Sequence, residues 1–99
     1  MDDLKVRWKH QSSHDPVILL SEIDSNRFEV RKVEIYADGR MGFANENASA
    51  EDTVLGEKAI SSASEIARDS QFLVASINVQ EFEEVWLAAI AGTRWDRFD

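Results

Sequence analysis

The sequence predicts an α+β domain, an antiparallel sheet of four or five strands with one long C-terminal helix and one short helix packed on one face. Three observations carry this prediction. Leu4, Val6, Trp8 and His10 alternate with Lys5, Arg7 and Lys9, the period-2 signature of a half-buried strand. Asp38-Gly39 separates two alternating segments and marks a tight hairpin turn. Phe82, Val85, Trp86, Ala89 and Ile90 recur at helical spacing and form one apolar stripe.

The remaining elements follow in order. Gln11 to Pro16 is polar and reads as a connecting loop. Val17 to Leu20 is a continuous apolar run that predicts a central strand reaching Glu22 or Ile23. Asp24-Ser25-Asn26 is a turn cluster. From Arg27 to Ala37 a long strand changes parity: Phe28 and Val30 share one face, whereas Val33 and Ile35 fall on the other. One extra residue near Arg31-Lys32 restores the register, so a β-bulge is expected there. Arg40 to Ala44 returns with Met41 and Phe43 toward the core. Asn45 to Thr53 is polar, acidic and aperiodic, and predicts a surface loop. Val54 to Ile60 is ambiguous. Ser62 with Glu65 fits a capping box ahead of a short helix from Ala63 to Asp69, and Phe72 to Ile77 is apolar enough for another strand. Asn78 with Glu81 repeats the capping pattern before the long helix, and Gly92 supplies its stop. Trp8, Phe28, Phe43, Phe82 and Trp86 are assigned to the core. Trp95 and Phe98 are expected to fold back over the sheet edge.

A chain of 99 residues without repeat or linker makes a single domain, residues 1–99. It contains no cysteine, which removes disulfides, thiolate nucleophiles and Cys-ligated metals. No apolar run reaches bilayer-spanning length and the acidic start Met1-Asp2-Asp3 does not read as a signal peptide, so a cytoplasmic location is expected. Charge is unevenly placed. Residues 1–44 carry seven basic and eight acidic side chains, whereas residues 45–99 carry four and eleven, balances of −1 and −7. Such a surface repels phosphate backbones and anionic membranes and steers a basic protein instead.

The stretch WKH…DPVILLSEID…RFEVRKVEIYADGRMGFA, with Glu65-Ile66 and then Glu81-Phe82-Glu83 and Trp86, resembles a family of small stand-alone bacterial domains of unknown function. The resemblance runs from about Val6 to Trp86 and is most specific at RKVEIYADGRMG; Thr53 to Ile60 and the tail after Gly92 lie outside it. It implies a compact intracellular domain and brings no catalytic residue or cofactor. In size and charge the chain is also similar to immunity proteins that neutralise toxins passed between bacteria.

Candidate chemistry is sparse. His10 and His14 have metal-ligand spacing, but only on a helix, and this segment reads as a strand end and a loop, so no metal is assigned. Serines lie outside nucleophile contexts, and cross-strand pairing with Arg27, Arg31, Lys32 and Arg40 accounts for the strand carboxylates. No cofactor and no catalytic residue are expected. The leading reading is an acidic binding protein, an immunity protein against a basic, nuclease-like toxin. Glu46, Glu51, Asp52, Glu57, Glu83 and Glu84 supply its charge, with Leu87 and Trp95 as apolar anchors. The alternative is a housekeeping or small-ligand-binding domain, marked by an apolar pocket between sheet and helix.

Overall fold

The computed structural model describes residues 1–51 and 53–97. Eight elements follow one another: β1 (Asp2–Trp8), β2 (Ile18–Ile23), β3 (Glu29–Ile35), β4 (Met41–Ala44), β5 (Ser49–Ala50), α1 (Ala63–Ala67), β6 (Phe72–Ile77) and α2 (Val79–Ile90). The strands form one antiparallel sheet in the order β5-β4-β3-β2-β1-β6. It has six strands rather than the expected four or five. The addition is β5, two residues that pair with Phe43 and Ala44 and are too short to show a period.

Parity errors in the sequence become a bulge in the sheet. β2 and β3 run in step from Ile18–Ile35 to Glu22–Arg31, and then Ile23 meets Glu29, leaving Val30 as the extra residue. The bulge lies one residue before the predicted Arg31-Lys32 and lets Val33 and Ile35 point to the same face as Ile18 and Leu20. At the β3–β4 hairpin Gly39 takes φ +90°, and the Arg40 N–H donates to Asp38 Oδ1 at 2.9 Å.

α2 closes that face. Phe82, Val85, Trp86 and Ala89 are buried against Ile18, Leu20, Val33, Ile35 and Met41, and Phe43 meets Trp86 edge-on with centroids 5.5 Å apart. Asn78 Oδ1 caps the helix by accepting from the Glu81 N–H at 2.8 Å. At its other end Gly92, at φ +72°, turns the chain, and the Gly92 and Thr93 N–H groups donate to Ala89 and Ala88 carbonyls.

α1 does not join α2, contrary to the expectation of two helices on one face. Ile66 of α1 lies with Leu4, Val6, Leu19, Ser21 and Phe72, whose parity is opposite to that of Leu20. Ile66 is its single large apolar residue, too little pattern to fix a face from sequence. The connection 53–61 covers the same side, tied down by strand side chains. Glu29 accepts from Ser21 Oγ at 2.7 Å and from the Gly56 N–H at 2.7 Å, and the fully buried Thr53 donates to Glu34 at 2.8 Å. The backbone carbonyl of Arg27, a residue at φ +71°, accepts from the Ile60 N–H at 2.7 Å, and its guanidinium donates to the Ser61 carbonyl at 2.7 Å.

Phe28, assigned to the core, and Ile90, placed on the apolar stripe of the helix, lie outside the core. Phe28 is 42% exposed because the turn closed by Asp24 carries it past the bulge. Ile90 is 47% exposed; it sits roughly 100° round the helix from the centre of Phe82, Val85 and Ala89. Trp8 is half-buried, between His10 and Phe72 on the α1 face. Among the described residues no helix is long and apolar enough to cross a membrane.

Candidate functional site

The acidic residues named from sequence divide between two faces of the molecule. Glu46 projects from the β4–β5 turn, which Asn45 builds by accepting from the N–H groups of Asn47 and Ala48 at 2.9 and 2.8 Å. Glu51 follows β5 in a left-handed conformation, φ +56°, and its carboxylate lies 3.5 Å from Arg40. Glu57 is exposed beside Gly56, in the connection that covers the α1 face. Asp52 and Phe98 lie outside the described residues.

Glu83, Glu84 and Leu87 belong to α2, on the opposite layer. Glu83 is held by Arg31, which also grips Glu22 with two bonds of 2.8 Å. The Arg31 guanidinium lies 4.9 Å over the Phe82 ring and 5.1 Å from the Trp86 ring centre. Bonds to Glu22 and Glu83 drive Arg31 further toward its charged form, and Arg31 in turn holds the Glu83 carboxyl below its ordinary range. Glu84 is paired with Arg97. Leu87 is 59% exposed, as an anchor requires. Trp95 is not free: it packs half-buried against the core, its backbone N–H donates to the Gly39 carbonyl at 2.8 Å, and Arg97 lies over its ring. The seven of these residues that the structure describes therefore do not make one patch.

What remains uncompensated is the covering segment itself. Residues 45–69 carry six acidic and two basic side chains. Among the described residues no cation lies within ion-pair distance of Glu46, Glu57, Glu65 or Asp69. Glu65 accepts from the α1 cap Ser62, and Asp69 from the Gln71 N–H, both at the surface. Glu65 and Asp69 were missed from sequence because each sits in a capping or turn pattern that explained it locally. The charge count over the whole segment was the available signal.

One buried carboxyl stands apart. Asp3 pairs across the sheet with Glu22, and its Oδ1 is buried without a hydrogen-bond partner among the described residues. Burial, reinforced by Glu22, pushes its carboxyl above the ordinary value. Arg31 and Glu22 lie on the same row, so this is an ion-pair cluster under the first turns of α2. The His10 ring is also fully engaged: its Nδ1 accepts from the Ser12 N–H at 3.0 Å and its Nε2 lies 2.8 Å from the Pro16 carbonyl.

Between α2, the tail and β1 a hollow of about 300 Å³ is lined by Lys5, Leu20, Ile35, Glu81, Glu84, Val85, Trp95 and Arg97. Its charges pair with one another, Lys5 with Glu81 and Arg97 with Glu84.

Among known proteins, residues 3–91 match the family model described as a domain of unknown function (DUF6881). No curated protein and no solved structure matches the chain.

Proposed function

Since this chain belongs to the DUF6881 family, whose description names no activity, we propose its function from the surface it presents: a non-catalytic acidic protein that occludes a basic protein partner. In biological terms the reading is an immunity protein whose partner is a nuclease-like toxin, acting in the cytoplasm. The observation that carries it is the covering segment 45–69, with six acids against two bases and four described carboxylates lacking a cation of their own. A nuclease binds phosphate through a cationic surface, and a rigidly held anionic cover competes for that surface and speeds encounter. The sheet supplies the rigidity, through Glu29, Glu34 and Arg27. Glu83 and Glu84 contribute less than their sequence positions imply, because Arg31 and Arg97 already neutralise them.

The small-ligand reading has one observation in its favour, the hollow under the tail. Its volume is at the lower limit of ligand pockets (about 300 Å³) and its charges are internally matched, so it offers little to orient a polar ligand.

The test is capture with the full chain from bacterial lysate at about 50 and 500 mM salt, followed by kinetics on the protein retained. A basic protein held in stoichiometric amount and released by salt is expected. Reversal at Glu46→Lys, Glu57→Lys and Glu65→Lys together then slows association at least tenfold, by loss of steering. Reversal at Glu83→Lys and Glu84→Lys changes it less. An association rate untouched by the triple reversal overturns the assignment of this surface.

A further inference from the structure

β6 is the last strand on one side of the sheet, and among the described residues no further strand pairs with its outer edge. The Lys9 N–H donates to the Gln71 carbonyl at 2.7 Å, which makes Lys9–Gln71 a hydrogen-bonded pair of the antiparallel ladder. Alternation then turns the N–H and C=O groups of Leu73, Ala75 and Ile77 toward β1, and those of Phe72, Val74 and Ser76 outward. Of the outward N–H groups, that of Phe72 is taken by the Asp69 carbonyl. Val74 and Ser76 present both donor and acceptor to the outside.

Exposed edges are ordinarily blunted by brevity, charge, proline or a bulge. The opposite edge of this sheet obeys the rule, since β5 has two residues and is followed by Glu51. β6 has none of these devices: Phe72-Leu-Val-Ala-Ser-Ile77 is six residues long, regular in register and without a charged residue. Leu73, on the α2 face of this strand, is 54% exposed, because the main sheet contacts of α2 are with β3 and β4.

We infer that β6 is a self-pairing edge, which joins two copies of this chain antiparallel about a two-fold axis at Val74 into one continuous sheet. The occupant is a second copy because the edge is complementary to itself. With Val74 opposite Val74, Phe72 meets Ser76 and Leu73 meets Ala75, large against small, with no charge opposite a like charge. Four backbone hydrogen bonds form: each Val74 N–H to the other Val74 carbonyl, and each Ser76 N–H to the other Phe72 carbonyl. The hollow beside the edge is lined by Lys5, Arg7 and Glu81. This self-association does not rest on the partner reading above: it runs through the backbone of β6, beside which α1 and Asp69 of the acidic cover lie.

Sedimentation equilibrium on the full chain tests it, from about 10 μM to about 1 mM, because a seam of one strand pair buries less than a standard interface of roughly 1,600 Å². The expected mass rises from 11.2 kDa toward twice that value, while amide exchange at Val74 and Ser76 slows as concentration rises. Val74→Pro removes an outward N–H and spares the bonds to β1; it is expected to weaken the dimer at least tenfold with the circular dichroism spectrum unchanged. Leu73→Lys, at an exposed position, keeps every strand hydrogen bond and is expected to weaken the dimer too, so the test stands even if the proline variant misfolds. A monomer at every concentration overturns the inference. So does a dimer whose Val74 and Ser76 amides exchange at a concentration-independent rate, or one that a folded Leu73→Lys variant forms as readily as the wild type.

Discussion

The guanidinium of Arg31 is gripped by Glu22 from β2 and Glu83 from α2 and lies against the faces of Phe82 and Trp86. Replacing it by Ala removes the cation from a Glu22 side chain that is only 11% exposed. The expected loss is about 3 kcal/mol, as for a buried pair broken from one side, read as a lowered urea midpoint. Arg31→Lys keeps the charge but loses the two-pronged grip, and a loss of roughly 1–2 kcal/mol is expected. Asp3 works in the other direction. Its carboxyl is raised in the folded protein from the ordinary 3.8, so the folded state holds that proton more tightly than the unfolded chain. Its contribution is favourable below pH 3.8 and is lost as pH rises through the folded value, leaving a buried charge beside Glu22 at neutrality. Asp3→Asn is therefore expected to raise the melting temperature at pH 7 and to leave it nearly unchanged near pH 3. A melting temperature lowered equally at both pH values contradicts this account.

At the scale of elements, two glycines mark where segments far apart in sequence come together. A Cβ on Gly42 meets the Thr53 hydroxyl oxygen at 2.1 Å, so Gly42→Ala displaces the buried residue that ties the acidic cover to Glu34. The expected cost is about 1–3 kcal/mol, with faster amide exchange in residues 53–61 than in α2. Gly39 stands at φ +90°, and a Cβ there meets the Trp95 carbonyl oxygen at 2.5 Å; the hairpin turn and the docking of the tail depend on the same residue. The turn itself is plain from Asp38-Gly39, but its second role is not, since no local pattern ties residue 39 to residue 95. The same division runs through the fold. β1, the bulge at Val30, both caps and α2 follow from parity, turn chemistry and helical spacing, all local. The layer on which α1 sits depends on tertiary packing of Ile66 alone. Glu83 and Glu84 read from sequence as open charges on the polar side of α2. Arg31, on another element, and Arg97, beyond the helix stop, neutralise them, and a spacing rule that follows one helix does not reach either partner.

The whole molecule carries a charge of −8, and this sets opposite salt dependences for the two proposed contacts. Pairing through β6 brings two equally charged copies together, so their long-range repulsion opposes a seam made of backbone hydrogen bonds and apolar side chains. Added salt screens that repulsion, since the Debye length falls from roughly 14 Å at 50 mM to about 4 Å at 500 mM, and the dimer tightens. Binding of a basic protein to residues 45–69 draws on attraction across the same distances, and salt weakens it. Raising NaCl over that interval is therefore expected to lower the Kd of self-association severalfold and to raise the Kd for the basic partner at least tenfold. Sedimentation equilibrium reads the first and binding kinetics the second on the same preparation. A dimer that salt dissociates is held by ion pairs rather than by an open strand edge. A partner that salt leaves bound is held by apolar contact, which moves the recognition surface from the acidic cover to Leu87 and its neighbours on α2.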